Sequence, residues 1–136
     1  MTSPKPDEQP GALLAIDHVQ LTIPPGNEHL EAARRCYIDA FGLREVEKPE
    51  ALRARGGLWF EGGDPARGGA FQVHLGVEEP LETRRHPAFV TDNLTALRAR
   101  CEAAGLRTLD DVPLAGRERF NVFDPFGNRI EMLQWT

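Results

Sequence analysis

The sequence predicts an α+β fold in which one domain is built from two consecutive β-α-β-β-β modules. Three observations carry this. The order strand, helix, short strands is met twice, with the two helix patterns closing on Gly42-Leu43 and on Gly105-Leu106; such self-similarity is the first thing to seek in a chain. Polar residues that suit a strand interior poorly recur at matching places: His18 and His86 in the opening strands, His74 and Glu131 in the closing ones. Finally, 136 residues make one domain of ordinary size, able to bury a core without staples.

Residues 1–12 are proline-rich and lack hydrophobic periodicity, and are expected to be a loosely ordered tail. The single domain then spans 13–136, with modules over about 14–80 and 85–136. In the first module a strand runs to Ile23 and stops at Pro24-Pro25-Gly26. A helix follows from Glu28 to Phe41, with Leu30, Ala33, Tyr37 and Phe41 on one face and Gly42 as its C-cap. Three apolar bursts come next, at Leu52, Leu58-Trp59-Phe60 and Phe71 to Val77, separated by glycine-rich turns. In the second module His86 to Thr91 reads as a strand and Asn93 to Ala104 as a helix. Strands follow near Leu106 to Leu109, Arg119 to Phe123 and Asn128 to Trp135. Asp124-Pro125-Phe126-Gly127-Asn128 has the residue types of a tight turn and is assigned a structural role.

Composition narrows the function. A net charge of −5 and a pI near 5.4 argue against nucleic-acid binding, which needs a basic face to neutralise phosphates. Cys36 and Cys101 form no Cys-x-x-Cys and both fall in helix patterns, so neither a disulfide framework nor a zinc ribbon is expected. No signal-like or membrane-spanning apolar run is present. The expectation is a cytoplasmic protein whose partner is a small molecule, with neither membrane nor nucleic acid involved.

Alternation along strands sharpens the reading, because side chains two apart share a face. His18 and Gln20 oppose Val19 and Leu21, and Gln72 and His74 oppose Val73 and Leu75. The apolar sets can pack on helices while the polar sets line a cavity. His18, His74, His86 and Glu131 would then supply three imidazoles and one carboxylate to a single divalent metal, and Glu131 would double as the acid-base group. With no thiolate in the set, nickel, cobalt, iron, manganese and zinc all remain open. Among the arginines flanking these strands, Arg53 and Arg119 are candidates to bind a substrate carboxylate. Of the neighbours Trp59 and Phe60 only one can face the cavity, and Trp59 is the candidate substrate contact. His29, at the start of a helix, is expected to face solvent.

These residues resemble the vicinal oxygen chelate superfamily, which includes glyoxalase I, bleomycin-resistance proteins, fosfomycin-modifying thiol transferases and extradiol dioxygenases. The resemblance covers roughly Leu14 to Trp135. It rests on Ile16-Asp17-His18-Val19, Tyr37-Ile38-Asp39-Ala40-Phe41-Gly42-Leu43, His86-x-Ala88-Phe89-Val90-x-Asp92, and Asp124-Pro125-Phe126-Gly127-Asn128-Arg129-Ile130-Glu131. It implies paired modules forming a cupped mixed sheet with helices on its outer face. It also implies metal ligands at His18, His74, His86 and Glu131, and a homodimer that sometimes pairs modules across chains. One departure bears on mechanism: His74 stands where glyoxalase I typically has a carboxylate. The expected activity is metal-dependent lyase, isomerase or transferase chemistry on a small, anionic, oxygen-chelating substrate. A metal-free drug-binding protein of the bleomycin-resistance type and an iron-dependent dioxygenase are the alternatives.

Overall fold

A computed structural model describes residues 10–12, 14–67, 69–79 and 83–136. Residues 1–9 of the expected tail lie outside the described residues; 10–12 and 14–17 are exposed and in no regular element. The first module comprises β1 (His18–Ile23), a 3-10 turn (Asn27–His29) leading into α1 (Leu30–Arg34), a π-helical segment (Arg35–Ala40), β2 (Arg44–Val46), a 3-10 helix (Glu50–Arg55), β3 (Leu58–Gly62), a second 3-10 turn (Pro65–Arg67) and β4 (Phe71–Val77). The second comprises β5 (Ala88–Val90), α2 (Leu94–Ala103), β6 (Arg107–Leu109), β7 (Arg117–Phe123) and β8 (Arg129–Trp135).

Each module folds into its own four-stranded mixed sheet, ordered β1-β4-β3-β2 in the first and β5-β8-β7-β6 in the second. The opening strand pairs parallel with the closing strand in both, and the other pairings are antiparallel. The two halves thus share one topology, and the predicted α+β class is the observed one. The opposed pairs Gln20 with His74 and Ala88 with Glu131 place the modules in the register deduced above, with His18 matching His86 and His74 matching Glu131.

Apolar faces of both sheets meet in a single core. Ile23, Phe60, Val73 and Leu75 of the first sheet and Phe120, Val122, Ile130 and Met132 of the second join Ala33, Cys36, Tyr37, Leu94, Leu97 and Cys101 from the helical segments. Both cysteines are free and buried, and burial pushes the Cys101 thiol up to about 11, so it stays protonated. At its N-terminus α2 is capped by the Asn93 side chain, which accepts from the Ala96 amide at 3.1 Å. Among the described residues no helix is long and apolar enough to cross a membrane.

A clamp across the modules gives the π-helical segment its role. Tyr37, fully buried, stacks on Phe60 and donates its hydroxyl to Asp124 Oδ2 at 2.8 Å. Asp124 Oδ1 accepts the Phe126 and Asn128 amides, closing the turn anticipated from sequence. Asn128 continues to β1: its Nδ2 donates to the Thr22 carbonyl at 2.7 Å and its Oδ1 accepts the Thr22 hydroxyl at 3.1 Å. The turn is therefore a local device and also the tie between halves.

Four expectations need correction. Leu52 lies in a 3-10 helix, and the first connecting strand is β2, directly after the Gly42-Leu43 cap. Three residues with two exposed charged side chains carry no alternation to read. His86 lies outside β5, two residues before its first residue. The long helix is α-helical only over Leu30–Arg34 before widening to π. His29 is half-buried, with its ring edge-on to Phe126 at 5.8 Å across the module boundary.

One glycine sets the entry to β3. Gly57 has φ +84°, and a Cβ there would stand 2.0 Å from the Leu75 carbonyl oxygen. Gly57→Ala is expected to destabilise the protein by about 2 kcal/mol or more, combining left-handed strain with a backbone clash. A urea titration of the variant against the parent measures it.

Candidate metal centre

On the outward face of the first sheet, β1 and β4 bring His18 and His74 together. Their rings stack at 4.1 Å between centroids and 18° between planes. His74 stacks in turn on Trp59 at 3.7 Å and 2°, since the two are opposed across β3 and β4. Trp59 thus lies on the His74 face and Phe60 in the core. His18 Nδ1 lies 2.8 Å from Asp17 Oδ2, an acceptor only, so the ring proton sits on Nδ1 and the Nε2 lone pair is available. A carboxylate orienting a histidine in this way is the usual outer support of a metal ligand.

His74 is committed differently. Its Nε2 hydrogen bonds Gln72 Oε1 at 2.8 Å, and burial, followed by the neighbouring His18 ring, holds its pKa below the ordinary imidazole value.

The second sheet carries the other pair. His86 Nδ1 is 2.8 Å from the Arg84 carbonyl, which again fixes the proton on Nδ1. Its Nε2 then faces Glu131 Oε1 at 3.3 Å. A neutral imidazole would present a lone pair to a buried carboxylate, an arrangement that needs a shared proton or cation between the two atoms. The donor chemistry therefore fits a divalent ion of borderline hardness.

Arg119 partly compensates Glu131, its Nη1 lying 3.2 Å from Oε1. Its other donors go to the Val112 carbonyl and to Asp111. Asp111 also accepts from Asn121 and Arg129, and the Val112 amide, then the Asn121 side chain, hold its carboxyl below the usual range. Arg119 is thus fully engaged in positioning Glu131. Arg53, on the 3-10 helix, gives its donors to Glu47 and the Lys48 carbonyl. Arg117 differs: its Nε is buried without a partner among the described residues, and its guanidinium lies 4.4 Å from the Trp135 ring centroid.

The four sequence-predicted ligands therefore form two pairs, His18 with His74 and His86 with Glu131. Among the described residues no three His, Cys, Asp or Glu side chains of one chain are placed to hold a single ion. The cause is architectural. Both apolar faces are spent on the shared core, so the donor-bearing faces look away from it. Sequence reasoning placed Gln72 on the His74 face but missed Asp17, Asp111 and the Arg84 carbonyl. Asp17 adjoins a predicted ligand and was the one legible signal; the others depend on pairing across strands and on loop conformation.

Comparison with known proteins accords with this architecture. The chain matches the glyoxalase/bleomycin resistance protein/dioxygenase superfamily over residues 15–132. It belongs to that superfamily. A Bacillus anthracis protein described as of the glyoxalase family is 35% identical, with a TM-score of 0.80 over 94% of this chain and 100% of that one. The fosfomycin resistance protein FosX from Mesorhizobium loti is 19% identical, with a TM-score of 0.67 over 92% and 95% of the two chains. FosX from Listeria monocytogenes is 15% identical, with a TM-score of 0.69 over 92% and 94%. At those identities the FosX proteins share the glyoxalase-superfamily fold with this chain and nothing finer. No curated protein matches the chain.

Proposed function

We propose that this superfamily member is a divalent-metal-dependent enzyme, a lyase, isomerase or transferase acting on a small oxygen-chelating anion. The observation that carries the reading is the His86–Glu131 pair, a ring nitrogen and a buried carboxylate oxygen 3.3 Å apart that a divalent ion could bridge in place of a shared proton. His18, oriented by Asp17, supplies the third donor, and His74 a fourth once its Nε2 is released from Gln72. A bound divalent ion would polarise the substrate oxygens and stabilise negative charge developing on them. Glu131, buried beside Arg119, is the group placed to move a proton. The Trp59 indole, already stacked on His74, offers a flat wall for the substrate. Arg117, paired with no carboxylate among the described residues, offers a guanidinium to an anion.

The complete shell is assembled in a homodimer, with His18 and His74 of one protomer meeting His86 and Glu131 of its partner. Two features support this. β1 and β5 each end their sheet with an unpaired edge, and Ile16 and Val90 beside those edges are 83% and 59% exposed. Such edges invite a partner strand or cover.

Elemental analysis of protein purified without chelator or affinity metal tests the reading, alongside a His18→Ala, His86→Ala double variant. Near-stoichiometric metal in the parent and its loss in the variant are expected. Failure to take up nickel, cobalt, iron, manganese or zinc on reconstitution would favour the metal-free binding protein instead. Mixing His18→Ala chains with Glu131→Gln chains separates the dimer question, since a shared site predicts metal recovered at one of the two sites in each mixed pair.

A further inference from the structure

The pseudo-twofold relation between the modules places a cavity on each side, and the two differ in the side chains that line them. Aligning Gly42-Leu43 with Gly105-Leu106 makes Arg100 the counterpart of Tyr37. Strand register likewise makes Gly62 the counterpart of Asp124, Val90 that of Thr22 and Phe71 that of Asn128. On one side of the relation these positions form the polar clamp Tyr37, Asp124, Asn128 and Thr22, and the Asp124 carboxylate borders the cavity on that side. On the other, all four counterparts line an open cavity of about 290 Å³.

The cavity wall is apolar, built from Phe41, Phe71, Phe89, Leu97 and Met132, with Phe71 and Phe89 in contact at 5.1 Å between centroids. Where the clamp has a carboxylate, this side has Gly62, so the crevice lining contains no acidic side chain to neutralise Arg100. The Arg100 Nε donates to the Ala40 carbonyl at 3.3 Å, which fixes the guanidinium at the cavity. Its terminal nitrogens have no partner among the described residues. Arg44, also on the lining, is already paired with Glu61.

We propose that this crevice is a second binding site, for a small carboxylate with an aromatic or branched apolar body. The apolar part fills the space between Phe71, Phe89 and Leu97, and the carboxylate takes the free fork of Arg100. The volume stands at the lower end for ligand pockets, about 300 Å³, which restricts the ligand to a small one. Met132 lines this cavity while its neighbour Glu131 faces the opposite side of β8, so the site is separate from the candidate metal centre and stands whether or not that centre binds metal.

The full-length protein is titrated with 1-anilinonaphthalene-8-sulfonate as fluorescent reporter, and the dye is displaced with 4-phenylbutyrate or with 4-phenylbutanol. The acid is expected to displace the dye from one site per chain, with the neutral alcohol weaker by about tenfold or more, the worth of a charge-assisted contact. Arg100→Met, a change at an exposed position, should abolish the difference between acid and alcohol. Leu97→Trp, which puts an indole into the cavity, should remove displacement by both, while Glu131→Gln should leave both unchanged. Equal competition by acid and alcohol in the parent, an unchanged acid affinity in Arg100→Met, or no dye binding at all would overturn the proposal.

Discussion

Replacing Asp124 with Ala is expected to cost about 3 kcal/mol of stability and roughly 10 °C in Tm, the largest loss we anticipate from a single side chain outside the hydrophobic core. Four donors converge on this carboxylate: the Tyr37 hydroxyl, the Asn128 side chain, and the Phe126 and Asn128 amides. Truncation leaves the Tyr37 hydroxyl buried without an acceptor and frees Asn128 from one of its ties, so the link from the π-helical segment to β1 is weakened at both ends. Tyr37→Phe removes one donor and no turn, and should cost about 1 kcal/mol. Urea unfolding followed by fluorescence separates the two variants.

The same residue makes stability depend on pH in a definite direction. Burial raises the Asp124 pKa above its ordinary 3.8 despite the four donors, first among them the Asn128 side chain. A raised value means that the folded state holds the proton more tightly than the unfolded chain. The proton-linked part of the Asp124 contribution is therefore fully present below the unfolded pKa and is lost as pH rises through the folded one. Asp124→Asn cannot titrate, so the stability of the parent minus that of Asp124→Asn should fall across this acidic window and then level off. A difference that grows with pH there would contradict the argument.

Glu131→Gln is expected to lower metal affinity by about a hundredfold or more, beyond the usual 10–100-fold for losing an outer-shell partner. The substitution keeps shape and removes the one negative charge in the donor set. It also weakens the Arg119 Nη1 contact from an ion pair to a hydrogen bond with a neutral acceptor. Isothermal titration with zinc or manganese measures the loss. Thermal midpoints read at increasing metal should rise for the parent and stay flat for the variant, since a ligand that binds only the native state stabilises it. Equal affinity in parent and variant would remove Glu131 from the metal shell.

Much of the architecture was written in periodicity. Phe71 to Val77 alternates cleanly and is bounded by glycine and acidic residues, so β4 has the limits that the sequence suggests. The helix caps Gly42 and Gly105 and the Asn93 N-cap mark ends by local chemistry that needs no tertiary partner. β2 was illegible because three residues with two exposed charges have no period. The π widening over Arg35–Ala40 was illegible because it serves a contact, Tyr37 to Asp124, made between residues 87 apart in sequence.

The candidate site divides along the same line. Which residues share a face with His18 and His74 followed from strand alternation, a property of the backbone that any strand carries. What those side chains meet did not. That Asp17 accepts a hydrogen bond from His18 Nδ1, that His74 is sandwiched against Trp59 and tied to Gln72, and that Arg119 is spent on Glu131 and Asp111 depend on side-chain conformation, strand order and loop path. Sequence by itself determined two modules of one topology with matching polar positions, because local periodicity and turn chemistry act within a few residues. Only the tertiary structure decided that the modules bury their apolar faces in one core, which turns the two donor pairs apart within a chain, because burial is settled by surfaces that meet only once the whole chain has folded.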